Sequence, residues 1–135
     1  MNTKAIIAGL GAICGYIFGG LDLFLQAFCI ILVADTVSGM IKGFATGTYQ
    51  SKKFRLGLFK KCGYMLAIIL AVQLDKILGD TGALRGALLF CFIANEATSI
   101  IENLGEIGVP VPNALKNAIA ILKNKSNNDN EGNDI

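Results

Sequence analysis

The stretch LFLQAFCIILVADTVSGMI, residues 23–41, decides how this chain folds. It carries no charge before Asp35, and Gln26 is its one earlier polar break. As a helix rising ~1.5 Å per residue it is about 29 Å long, close to the ~30 Å hydrocarbon thickness of a bilayer. Three more apolar blocks lie around it, at 5–20, 62–79 and 83–101. The chain has 135 residues, of which 53% are hydrophobic and 16% charged, and its mean hydropathy is +0.58. A soluble domain carries about a quarter charged residues, and a chain this short cannot supply the shell needed to bury four apolar helices. The composition predicts an all-α integral membrane protein with four short transmembrane helices. The first block is the shortest, and its alternative reading is a peripheral or re-entrant helix beside three spans. Lys4 ahead of an apolar run superficially fits a signal peptide, but no small-x-small site precedes a polar start, so the block is read as retained.

The cations sort by side. Lys42, Lys52, Lys53, Arg55, Lys60 and Lys61 fall between the second and third blocks, Lys4 precedes the first, and Lys116, Lys123 and Lys125 follow the fourth. Only Lys76 and Arg85 sit at the turn between the third and fourth. The positive-inside rule then places the basic loop and the carboxyl end in the cytoplasm, with the amino terminus there too if four blocks span. The loop either fixes orientation alone or forms a short interfacial helix over 52–61, capped by Ser51, whose cations hold anionic lipid. After the stiff connector GEIGVPVP, residues 105–112, an amphipathic helix is expected over 113–124, lying along the inner membrane surface. Residues 1–125 thus form one membrane domain, and the Asn- and Asp-rich 126–135 reads as a disordered tail.

Small residues recur at helical spacing in every block: Gly11, Gly15 and Gly19; Gly39, continuing to Gly43 and Gly47; Gly63, Ala67 and Ala71; Ala83, Ala87 and Cys91. Such stripes let helix backbones approach closely in lipid, within or between subunits. Polar groups inside the blocks are costly there, about 2.5 to 3.5 kcal/mol for a charge at a helix centre, so they face protein or water. Asp35 and Ser38 in the second block, and Asn95, Glu96 and Ser99 in the fourth, are therefore candidate interhelical or pore-lining residues. Arg85 lies three turns before Glu96 on nearly the same face, and Gln73 near the outer end of the third block joins the list.

Histidine is absent, and Cys14, Cys29, Cys62 and Cys91 fall one to a block without metal-ligand or redox spacing. No phosphate loop or nucleophile motif appears. The residues point to neither an enzyme nor a nucleic-acid binder, and to no cofactor and no metal.

Specific motifs extend the reading. Asp35-Thr-Val-Ser-Gly39 lies late in a span, and the basic loop holds Ser51-Lys-Lys53 and Gly57-Leu-Phe-Lys-Lys61. Then come Ile93-Ala-Asn-Glu-Ala-Thr-Ser-Ile100 and Ile107-Gly-Val-Pro-Val-Pro112. Over Leu32 to Leu122 the chain resembles the phage-lysis and toxin-secretion holins of Gram-positive bacteria and their phages, clostridial toxin-release holins among them. Ala97 stands where that pattern often has glycine. The resemblance implies a homo-oligomer in the bacterial (host) cytoplasmic membrane that opens lesions. These release an endolysin or a large toxin, with no stable complex and no catalytic residues. Taken with the buried polar groups, this leads to the expectation that Asp35 and the Asn95-Glu96 face lie on the surface that switches. A small multidrug or ion transporter with buried carboxylates, or a passive assembly subunit, would share the four-helix pattern.

Overall fold

Glycines and caps punctuate a chain that is otherwise helical. The computed structural model describes residues 2–131. They form α1 (Thr3–Phe18), α2 (Leu23–Thr46), α3 (Ser51–Leu78), α4 (Ala83–Glu106) and α5 (Asn113–Glu131). Asn2 and Asp22 cap α1 and α2 by accepting from Lys4 N–H at 3.3 Å and Leu25 N–H at 3.0 Å. Gly19 and Gly47 end those helices in the left-handed conformation, which a Cβ would disfavour. α2, α3 and α4 are long and apolar enough to cross a membrane, whereas α1, at 16 residues, is shorter. The fold is all-α, with three long apolar helices and one shorter one.

Several element boundaries differ from expectation: α2 and α4 run on past residues 41 and 101 to Thr46 and Glu106. The short helix over 52–61 and the third block merge into α3, one helix of 28 residues. Gly63 alone cannot break it, since an interior glycine costs only about 1 kcal/mol. Ser51 lies inside its first turn, so it does not cap; Gln50 occupies the cap position, and no side chain caps there. At the carboxyl end α5 runs on to Glu131, where composition predicts disorder from Ser126. Ser126 is buried, facing Cys91, Ala94 and Asn95 of α4, and that contact holds the added turns. Residues 132–135 of the expected tail lie outside the described residues.

α4 is the central element, packed against α2, α3 and α5. Phe28 of α2, Ile68 of α3 and Leu89 of α4 are fully buried where these helices meet, with Leu25, Leu32, Val72 and Ile93 around them. Phe92 stacks between Phe28 at 6.1 Å and Tyr64 at 4.1 Å. This core is small. Leu23, Ile30, Leu66 and Ile77 all point outward more than two-thirds exposed, a surface that water would not tolerate and lipid would. α5 folds back along α4, with Ile119 buried, Leu122 against the core and Lys125 Nζ 5.9 Å from the centre of the Phe90 ring.

The turn into α4 has an unusual cap. Gly82 precedes the helix and offers no side chain, so Asp75, near the end of α3, serves instead. Its two carboxylate oxygens accept from Leu84 N–H and Arg85 N–H, each at 3.0 Å, and the residue is buried. Asp75→Ala should leave both donors without an acceptor and destabilise the bundle by about 1 to 3 kcal/mol. Thermal unfolding in detergent, with the exposed Glu102→Ala as control, checks this; equal melting of the two variants would contradict the cap.

Candidate functional site

Asp35 and Ser38 sit three residues apart on α2, and Glu96, Ser99 and Asn103 descend α4 at spacings of three and four, so each set shares one helix face. The packing of α2 on α4 turns these faces toward each other, and α3 supplies the charge between them. Lys61 Nζ donates to Asp35 Oδ2 at 2.8 Å and also to Glu96 Oε2. The three side chains are only 15%, 15% and 7% exposed, so one ammonium from α3 ties a carboxylate of α2 to one of α4 inside the bundle. Asn103 Nδ2 donates to Ser38 Oγ at 2.9 Å and reaches Asp35 Oδ1 at 3.4 Å. Ser38 Oγ donates in turn to the Asp35 carbonyl at 3.0 Å, which closes the network. Ser99 lines the cleft beside Asp35.

The remaining candidates lie elsewhere. Asn95 does not join Glu96: neighbouring residues point about 100° apart around a helix. Asn95 is exposed and looks toward Lys123, Ser126 and Asn127 of α5. Gln73 is half-buried on α3, near its carboxyl end. Arg85 shares a face with Glu96 but is three turns away, beyond reach, and binds the other end of the molecule. Its Nε donates to the Phe18 carbonyl at 2.6 Å, Nη2 to the Gly20 carbonyl at 3.0 Å, and Nη1 to Asp22 Oδ2 at 2.8 Å. Gly19 lies beneath this guanidinium, where a Cβ would stand 3.0 Å from Arg85 Cδ, so it is a helix terminator and a close-approach point rather than a stripe residue.

The other small residues divide. Ala71 is buried, a Cβ at Gly39 would stand 3.7 Å from Asn103 Nδ2, and one at Gly15 would meet only Leu21. Gly11 and Gly63 have open space beside them, Ala67 and Ala87 are half-buried, and Ala83 is exposed. Of the basic loop, Lys52, Lys53, Arg55 and Lys60 are on or near the surface, and Lys61 alone enters the ion network. Lys61 is the member that sequence reasoning assigned to orientation. The signal was there: two carboxylates inside apolar blocks need a cation, and Lys61 adjoins the third block. No group of three or more His, Cys, Asp or Glu side chains that could hold a metal occurs among the described residues.

Residues 12–124, which span this network, match the bacteriophage holin family. The chain belongs to that family. Among its relatives, a protein of Bacillus phage phi105 named "Probable holin" is 29% identical over 88% of this chain and 87% of its own length. An uncharacterized Listeria monocytogenes protein is 40% identical over 95% of this chain and 91% of that one. An uncharacterized Clostridium perfringens protein is 34% identical over 92% and 93%. No solved structure matches. In this holin-family chain the ion network sits well inside the family match, while most of α1 precedes it.

At the end of the bundle where α1 meets α2, the Arg85 hydrogen bonds hold the Asp22 carboxyl below its usual value of 3.8, against a smaller opposing effect of burial. A depressed carboxylate stabilises the fold above its ordinary pKa, and that stabilisation is lost as pH falls through the lower folded value. Wild type should therefore melt above Asp22→Asn at pH 7, and the gap should close below about pH 4. A gap that persists into acid would assign the difference to geometry rather than charge.

Proposed function

We propose that this protein acts as a holin: it accumulates in the bacterial cytoplasmic membrane, self-associates, and opens lesions that release a cell-wall hydrolase or a toxin. The observation that carries the reading is the Lys61 ammonium shared by Asp35 and Glu96, inside a bundle whose outer face is apolar. While α2, α3 and α4 stay packed, the three charges satisfy one another. Parting them in lipid exposes each at a cost of about 2.5 to 3.5 kcal/mol, so a lone copy stays closed. Where many copies gather and water enters between them, the same groups are hydrated and the cost falls away. Opening then depends on how many copies are present, which gives a delay followed by an abrupt event. Membership of the holin family and the phage relative's name support this role.

Orientation follows from charge. The basic start of α3 and the beginning of α5 lie in the cytoplasm, and the turns at Asp22 and Asp80 lie outside. In a variant stripped of its native cysteines, a thiol at position 50 should label only after the membrane is permeabilised, and one at position 81 from outside. The reverse pattern would invert the topology.

Expression with a co-produced endolysin that lacks a signal should give a sudden fall in turbidity that needs both proteins. Turbidity unchanged at full membrane accumulation would exclude the holin role. Lys61→Met leaves two carboxylates facing each other with no cation and should bring lysis forward. Asp35→Ala keeps a balanced Lys61–Glu96 pair and should shift the onset less, with equal amounts of both variants in the membrane by immunoblot. Identical onset in Lys61→Met, Asp35→Ala, Glu96→Ala and wild type would remove the network from the mechanism.

A further inference from the structure

A cleft of about 460 Å³ opens where the end of α2 meets the start of α3, and the ion network forms its deep wall. Lys42, Lys53 and Lys61 line it, with Asp35 the one carboxylate among the lining residues. The three ammonium groups are not equally engaged. Lys61 is taken by Asp35 and Glu96, and Asp35 also receives Asn103, so the deep wall is already satisfied. Lys42 has a loose partner in Glu106, at 3.5 Å and 57% exposed. Lys53 has no carboxylate within 4.0 Å among the described residues. The mouth therefore carries positive charge that the fold leaves unbalanced.

The backbone adds to it. α3 opens on Ser51-Lys52-Lys53 with no acidic residue in its first turn and no side-chain cap. Cations at a helix amino end stand against the positive pole of the helix dipole, and an adjacent anion relieves both. The rest of the lining is of a different kind. Tyr49 stacks on Phe44 at 4.6 Å and stands 6.2 Å from Phe54, and Phe54 and Leu58 continue the wall along α3. The cleft thus combines a basic mouth with an aromatic and aliphatic side, at the end of the bundle that the charge pattern assigns to the cytoplasmic interface.

We infer that this cleft binds a phosphate-bearing anion through Lys42 and Lys53, the phosphate of an anionic phospholipid or a free phosphate sharing that chemistry. A phosphate seated there would bridge the end of α2 to the start of α3, the two helices that contribute Asp35 and Lys61. The site rests on the reading of the chain as a membrane protein, but not on its lytic activity. It goes beyond the general attraction of a basic loop to lipid, because it names two lysines and excludes others of equal charge.

The test uses the full chain purified in neutral detergent and native mass spectrometry, with equimolar phosphatidylglycerol and phosphatidylcholine of the same acyl chains. Wild type should retain phosphatidylglycerol preferentially. Lys42→Gln with Lys53→Gln should lose about 25-fold of that preference, from ~fivefold per lysine. Lys4→Gln with Lys116→Gln, which removes the same charge elsewhere, should keep it, and circular dichroism should find both pairs equally helical. Loss of the retained lipid on adding inorganic phosphate would identify a free phosphate as a sufficient occupant; persistence would identify the lipid. Equal retention of the two lipids by wild type, or equal loss in both double variants, would overturn the site. Turbidity plays no part in this measurement, so failure of the holin role and failure of this site are separable.

Discussion

One ammonium group held between two carboxylates, inside the helix bundle, constrains everything else in this molecule. None of the three charges is tolerable alone at that depth, and they come from three helices. The helices must therefore be present together, in one register, before any of them is comfortable in lipid. The small apolar core of Phe28, Ile68 and Leu89 supports this arrangement but does not specify it, since lipid tails are nearly as good a neighbour for those side chains as each other. Polar contacts fix the register because only they distinguish the protein interior from the bilayer.

The pattern of apolar blocks made the helices legible and their ends much less so. Hydropathy marks where a chain meets hydrocarbon, not where hydrogen bonding stops. α2 continues through Lys42 to Thr46 and stops at Gly47, and α4 continues past residue 101 to Glu106. The same limit explains why 52–61 reads as a separate helix: a change from cations to apolar residues looks like a boundary, but the backbone finds no reason to break there.

For the candidate site, helix spacing was enough to group Asp35 with Ser38 and Glu96 with Ser99. It could not find the third partner, because Lys61 is 26 residues from Asp35 and 35 from Glu96, and its charge reads equally well as a topology signal. Angular reasoning also fails along the axis. Arg85 and Glu96 share a face yet are too far apart to meet, whereas Asp22, remote in sequence, is adjacent in space. The capping role of Asp75 is not legible in the sequence, since nothing local tells that Gly82 leaves the next helix without a side-chain cap of its own.

α1 is attached in a different manner from the other helices. None of its residues is buried, and its apolar side chains Ile7, Leu10 and Ile13 face outward. It is secured at its last turn, by Arg85 on the Phe18 carbonyl and by Lys76, which donates to the Tyr16 carbonyl at 3.4 Å and lies 3.9 Å above the Tyr16 ring. The two carbonyls belong to the backbone, so almost any apolar segment of that length would engage the same fastening if it kept an aromatic ring at 16 for Lys76, Phe18 against the core and the terminal glycine. The first helix is in this sense an exchangeable fitting: its sequence can drift, or be swapped for another, while the machinery behind it keeps its dimensions.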